Sequence, residues 1–413
     1  MTRTRRTHRP SGARRASALG ALGLCALLLA GCTSGCTPAA EPAGPAGAGA
    51  GAGAEVGAEA GAEAGAEAKN GDVPPPAGRT AGDLLPVPRG RGSHLPDDFN
   101  GDGHRDLVLN DLVVAPGESR ADGRSNRGAP ADAGIGIVYG TAGPRALDPS
   151  VRRLLTPRAH TTAVRGRPPA VVEAATSCDL DGDGFADLVI TTDTPPYDGT
   201  GRPPAALHLL FGSPSGLSGA AVALRIPERA RPGDVQPGAV CGDFDGDGSA
   251  DLAVTTSARE AGFRIGFLRG PFTRTGAPRA AEAAVSVAGP ALSAPATGPD
   301  TDADGYDDLV VSARAPRPGT AAEGTLLLGG PDGPGRAGGP YRAEPLTLPE
   351  LPASPAGRAP ITQLLRTADF DGDKRPDLVT RTTYRGERTD VVALYTAGRT
   401  KPVITFSTSV FLR

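Results

Sequence analysis

An all-β fold made of repeated four-stranded units is predicted by three observations. One short acidic motif recurs five times in the C-terminal three quarters of the chain. Each copy runs straight into a Leu-Val-Ile-rich stretch of strand composition. No stretch sustains the 3.6-residue apolar period of an amphipathic helix. Bulk composition agrees: Gly (59) and Pro (42) are frequent among 413 residues and Trp is absent. With 38 % apolar and 22 % charged residues, the chain is neither wholly disordered nor a multi-span membrane protein. A net charge of −3 excludes a global basic footprint for nucleic acid.

The N-terminus carries an address. Arg3, Arg5, Arg6, Arg9, Arg14 and Arg15 form a basic region, and the apolar run from Ala18 to Ala30 is too short to span a bilayer. It ends in Leu29-Ala30-Gly31-Cys32, which resembles the bacterial lipobox. The resemblance implies that residues 1–31 are a signal peptide and that Cys32 is lipidated, anchoring the chain at the outer face of the bacterial cell membrane. An ordinary secretory signal with Cys32 incidental is the alternative. Arg14-Arg15 matches a twin-arginine signal weakly, because Ala-Ser-Ala-Leu follows. Residues 32–90 are low-complexity Gly-Ala, Gly-Ala-Glu-Ala and Pro74-Pro75-Pro76 sequence, a composition that reads as a disordered tether. Removing six Arg and no acids leaves the mature chain at −9.

From residue 91 to 413 the repeats define one domain. The motif is Asp-x-Asp-x-Asp-x-x-x-Asp-Leu, with ligand candidates at positions 1, 3, 5, 7 and 9. Its copies are Asp98, Asn100, Asp102, His104, Asp106; Asp179, Asp181, Asp183, Phe185, Asp187; and Asp243, Asp245, Asp247, Ser249, Asp251. The fourth is Asp300, Asp302, Asp304, Tyr306, Asp308, and the fifth Asp369, Asp371, Asp373, Arg375, Asp377. Successive starts lie 81, 64, 57 and 69 residues apart. Four clustered carboxylates repel one another without a counter-ion. Ca²⁺ takes six to eight oxygens, and a tight loop supplies them from alternate residues, position 7 through its backbone carbonyl. Gly at positions 4 and 6 permits the turn. Mg²⁺ fits less well, because it keeps its waters. The EF-hand is excluded: position 12 is Leu109, Ile190, Val254, Val311 or Thr380, where that loop needs Glu.

A second strand-like run follows each loop: Ile135–Gly140, Ala206–Gly212, Phe263–Leu268, Gly324–Gly329 and Asp390–Tyr395. Weaker runs come after it, such as Ala221–Ile226 and Val403–Phe406, and before the loop, such as Pro237–Val240. Four short strands per 60–70 residues fit a propeller blade. The repeats resemble FG-GAP repeats, the blades of the integrin α-subunit head and of many secreted bacterial proteins. Phe211-Gly212-Ser213-Pro-Ser-Gly-Leu217-Ser matches the tail of such a blade, and Cys241-Gly-Asp-Phe-Asp-Gly-Asp-Gly its core. The resemblance implies a β-propeller with up to five bound Ca²⁺, which would offset the −9 of the mature chain. Integrin heads have seven blades, but five repeats over this length leave no room for seven. A five-bladed ring is expected, a divergent larger ring being the alternative, with Leu84–Leu95 supplying a first strand.

Departures from the motif rank the sites. Asn100 lowers the charge of the first loop, Ala303 replaces Gly in the fourth and Lys374 in the fifth, so loops 2 and 3 should bind tightest and loops 1 and 5 weakest. Cys178 and Cys241 precede loops 2 and 3 with offsets one residue apart. On regular strands they would face opposite ways, which favours free thiols over a disulfide. The histidines show no zinc spacing and no Gly-x-Ser-x-Gly elbow occurs. Sparse aromatics argue against a lectin. The Arg-rich stretch Arg145–Pro169 reads as a solvated loop. Function then reads as a non-catalytic extracellular binding or adhesion module. It would be a monomer meeting an extracellular protein or cell-wall polymer, touching the membrane only through its lipid. An extracellular hydrolase or lyase on the same scaffold is the alternative.

Overall fold

The computed structural model describes residues 84–413 except 114–132, 144, 162–170, 194–205, 231–233, 259–261, 288, 290–291, 297, 315–320, 350, 352–356, 386–389 and 413. The signal segment, Cys32 and nearly all of the tether lie outside the described residues.

Strands fall into five blades. Blade I holds β1 (Leu107–Val113), β2 (Ala133–Gly140) and β3 (Leu147–Leu155). Blade II holds β4 (Val171–Cys178), β5 (Asp187–Asp193), β6 (Ala206–Leu210) and β7 (Val222–Ala223). Blade III comprises β8 (Asp234–Gly242), β9 (Asp251–Ala258), β10 (Gly262–Arg269), β11 (Ala280–Ala281) and β12 (Val285–Val287). Blade IV is β13 (Leu292–Ser293), β14 (Leu309–Arg314), β15 (Ala322–Leu328) and β16 (Arg336–Ala343). Blade V is β17 (Pro360–Ala368), β18 (Asp377–Tyr384), β19 (Asp390–Tyr395) and β20 (Ile404–Phe406). Within each blade consecutive strands pair antiparallel, except that in blade III β11 and β12 both pair with β10; a single parallel bridge, Ala133 to Val171, joins the sheets of blades I and II.

The apolar runs after the loops are continuous because these strands are covered on both faces. On β5, Leu188 and Ile190 enter the core shared with blade I, while Val189 enters the core shared with blade III. On β9, Leu252 and Val254 face blade II and Ala253 faces blade IV. Leu107 and Leu109 of β1 pack with Phe370, Val379 and Leu394 of blade V. Four apolar clusters therefore join blades I–II, II–III, III–IV and V–I; among the described residues none of the four spans IV and V. The V–I seam is sealed by the turn Thr408–Leu412, whose Phe411 ring fills the space a side chain would need at Gly136.

Three expectations are corrected. Leu84–Leu95 forms no strand. Pro86 and Pro88 lack the donors a central strand needs. The segment instead runs as a strap from β3 (Leu85 N to Ser150 O, 2.9 Å) across loop 1 (Gly90 N to Asn100 O, 3.0 Å) to loop 2 (Ser93 N to Gly184 O, 2.7 Å). Blade I thus lacks a first strand. Asp97 stands at the top of that position: it accepts the Ser177 hydroxyl of blade II and the Arg366 guanidinium of blade V. Second, Arg145–Pro169 is not all loop, because Leu147, Val151 and Leu155 are buried along β3, the outer strand of blade I; residues 162–170 lie outside the described residues. Third, Cys178 and Cys241 form a disulfide with a Cα–Cα distance of 6.2 Å. The alternation argument fails because the two residues sit on the inner strands of different sheets, and register breaks interrupt both strands.

The bridge closes a sequence separation of 63 residues between blades II and III. In a chain-entropy view its loss costs up to about 4 kcal/mol. Thermal melts with and without reductant, and of Cys178→Ser/Cys241→Ser, should therefore show a lower midpoint; equal midpoints would mean the bridge adds nothing.

Candidate metal centre

The five loops share one hydrogen-bond scaffold. The carboxylate at position 1 caps amides at positions 4 to 6: Asp179 accepts from Gly182 (2.8 Å), Asp183 (3.1 Å) and Gly184 (2.8 Å), and Asp369 from Gly372 (2.7 Å) and Lys374 (2.9 Å). The carboxylate at position 5 accepts the amide at position 7, as in Asp102 from His104 (3.1 Å), Asp183 from Phe185 (3.1 Å) and Asp247 from Ser249 (2.9 Å). Asp304 likewise accepts from Tyr306 (3.2 Å) and Asp373 from Arg375 (2.8 Å). Positions 4 and 6 are left-handed in every loop, with φ from 60° at Ala303 to 90° at Gly305. Ala303 and Lys374 (φ 65°) take that conformation against their side chains.

Position 9 anchors the loop to the sheet. One oxygen accepts an amide at or just past the end of the strand that follows the loop's own strand (β2 in blade I, the third strand elsewhere): Asp106 from Gly140 (2.8 Å), Asp187 from Gly212 (2.9 Å) and Asp251 from Gly270 (2.8 Å). Asp308 does so from Gly329 (2.9 Å) and Asp377 from Ala397 (3.0 Å). In four loops the other oxygen accepts the amide at position 2, from Phe99, Leu180, Thr301 or Phe370.

These positions crowd carboxylates, half-buried to buried in loops 2 and 3 and more exposed in loops 4 and 5. Oxygens of Asp179, Asp181 and Asp187, of Asp243, Asp245 and Asp251, of Asp300, Asp302 and Asp304, and of Asp369, Asp371 and Asp377 each converge within 4.8 Å. Burial is the main cause that raises Asp187 to about 8, Asp251 to about 7 and Asp181 to about 6, with neighbouring carboxylates adding to it. Burial also lifts Asp106 well above the ordinary Asp value and raises Asp377. Three buried oxygens at the ligand positions of the loops have no donor: Asn100 Oδ1, Asp181 Oδ1 and Asp251 Oδ2. A hard divalent cation with oxygen ligands fits such a set, because it supplies the charge these groups lack and takes the lone pairs no N–H reaches. Carboxylates at positions 1, 3, 5 and 9 and the carbonyl at position 7 would hold it.

The loops are not equivalent. In loop 1 no acid trio converges, and the strap fills part of the site: Ser93 Oγ donates to Asp98 (2.6 Å), and Asn100 Nδ2 donates to Pro88 O and Asp102 (both 2.9 Å). In loop 4, Asp308 lies outside the trio, with Thr301 holding its Oδ2. Neighbouring loops also touch. Ala186 N donates to Asp98 O and Asp307 N to Asp243 O (both 3.0 Å), and the rings of Phe185 and Tyr306 cover Gly101 and Gly246 of the preceding loop. Sequence reasoning missed the arginines. Arg274 pairs with Asp181 and Asp183, Arg269 with Asp245 (2.5 Å), Arg279 with Asp247 and Arg336 with Asp302 (3.3 Å). The one available signal was an Arg in or near the blade tail.

Two outcomes follow. Lys374→Gly should raise stability by about 0.5–1 kcal/mol, the left-handed strain removed less the backbone entropy of Gly; Arg375→Gly, one position on, should not, and equal effects in denaturant titrations would contradict the strain. Asp187 and Asp251 have folded values near 8 and 7, raised above about 4 for a free Asp. Their contribution is complete below pH 4 and is lost as pH rises through 7 to 8. Metal-free protein should therefore melt at a lower temperature at pH 8.5 than at pH 5. Saturating Ca²⁺, which binds the carboxylate form, should remove that fall; a metal-free midpoint that rises over this range would contradict the assignment.

Residues 171–202, from β4 through loop 2 and β5, match the family model of the FG-GAP repeat. No curated protein matches the chain. The described strands form a five-bladed β-propeller, and its second blade carries the FG-GAP repeat.

Proposed function

We propose that this propeller is a calcium-stabilised, non-catalytic binding or adhesion module, displayed outside the cell and held at the membrane by lipid on Cys32. The observation that carries the reading is the set of converging aspartates with orphaned, buried oxygens on a five-bladed ring. Such sites rigidify loops on one side of a scaffold and leave its exposed turns for a macromolecular partner. Among the described residues, the acids that burial pushes upward lie within the five loops, where burial and neighbouring carboxylates raise them, and this supports a metal-site reading of them over a catalytic pair. The partner class is a surface protein or a cell-wall polymer.

In cells making the full chain, protease added outside should release the propeller, and Cys32→Ser should shift it to the medium. Purified protein should sediment saturably with cell envelopes in Ca²⁺ and not in chelator. Retention inside the cell, or no sedimentation, would overturn the reading. Breakdown of the envelope polymer would replace it with the hydrolase or lyase.

A further inference from the structure

We infer that Arg274 of blade III is a positioning residue for a divalent cation in the loop of blade II; the inference rests on the calcium reading above. Arg274 lies in the turn between β10 and β11. Its Nε and Nη2 reach Oδ2 of Asp181 and Oδ2 of Asp183, positions 3 and 5 of loop 2. The opposite oxygen of Asp181, Oδ1, is buried with no donor, although the Asp181 side chain is only 7 % exposed. The arginine therefore satisfies one side of this carboxylate and leaves the other side for a charge it does not supply. That division suits a group that orients a ligand rather than one that fills its site.

The turn that carries Arg274 is itself held from both blades. Phe272 N donates to Leu180 O of loop 2 (2.6 Å), and Thr273 and Gly276 close the turn with bonds of 2.8 Å. Arg225 N of blade II donates to Gly276 O (2.7 Å), and the guanidinium carbon stands 4.7 Å from the centroid of the Phe211 ring. Charge gives the reason for a cation here. Loop 2 carries four aspartates, a divalent ion neutralises two, and Arg274 offsets a third. A planar fork matches two carboxylates at once, which Lys cannot do. Arg269 and Arg279 on loop 3 and Arg336 on loop 4 come from the blade that owns the loop, whereas Arg274 comes from the next one. Occupation of loop 2 is thereby coupled to the blade II–III seam.

Calorimetric Ca²⁺ titration of the full chain and of Arg274→Gln tests this, alongside melts in Ca²⁺ and in chelator. One class of sites should weaken about tenfold or more, as the loss of a group that orients a metal ligand does, and Arg274→Lys should recover part of it. The variant's midpoint should fall in Ca²⁺ far more than in chelator. In an Asp181→Asn/Asp183→Asn background, Arg274→Gln should change Ca²⁺ binding no further. Unchanged affinity, or equal loss of midpoint with and without Ca²⁺, would overturn the inference; tighter binding would also overturn it, making Arg274 a competitor of the cation. If the unaltered chain takes up no Ca²⁺, the calcium reading itself fails.

Discussion

Each blade hangs on one buried aspartate. The last acid of each loop binds the end of the strand after the loop's own strand with one oxygen and, in four blades, the start of its own loop with the other. Hydrogen bonds to a charged group contribute about 1.5–3 kcal/mol each, but the carboxylate has left water to make them. In blades II and III the result is an acid whose ionisation burial pushes up to about 8 and about 7, converging with two others. A bound cation would resolve that conflict by taking the oxygens that no N–H reaches.

The ring follows from how the loops meet. Ring-to-glycine contacts and amide bonds pass from loop 1 to 2 and from loop 3 to 4, while the Cys178–Cys241 bridge and Arg274 tie blade II to III. Blade V closes onto blade I by packing Phe411 and by the Asp97–Arg366 pair, and among the described residues no strand is exchanged between the two blades. Blade IV meets blade V without one of the four apolar clusters, and on β17 Ile361 and Leu364 remain exposed at 49 % and 42 %.

Local chemistry was legible in the sequence and partner choice was not. The aspartate spacing gave the loops, and the glycines at positions 4 and 6 gave their left-handed turns, down to the strain at Lys374. The strand after each loop was visible because burial on both faces makes an unbroken apolar run, as in Leu188–Ile190. β3 was hidden because Leu147, Val151 and Leu155 recur every fourth residue among Arg152, Arg153 and Pro149. The strap was misread because apolar Leu and Val outweighed the prolines between them. The disulfide and the arginine contacts join blades, and period-two reasoning inside one strand says nothing about a neighbouring sheet.

The central claim is that the aspartate loops are structural Ca²⁺ sites of the propeller. Its most direct test is the thermal midpoint at pH 7.5 across a series of free Ca²⁺ concentrations. Several sites that bind only the folded chain should raise it steeply, since each adds about 2.7 kcal/mol when Ca²⁺ reaches a hundredfold its dissociation constant. A midpoint that stays the same from chelator to millimolar Ca²⁺ would contradict the account.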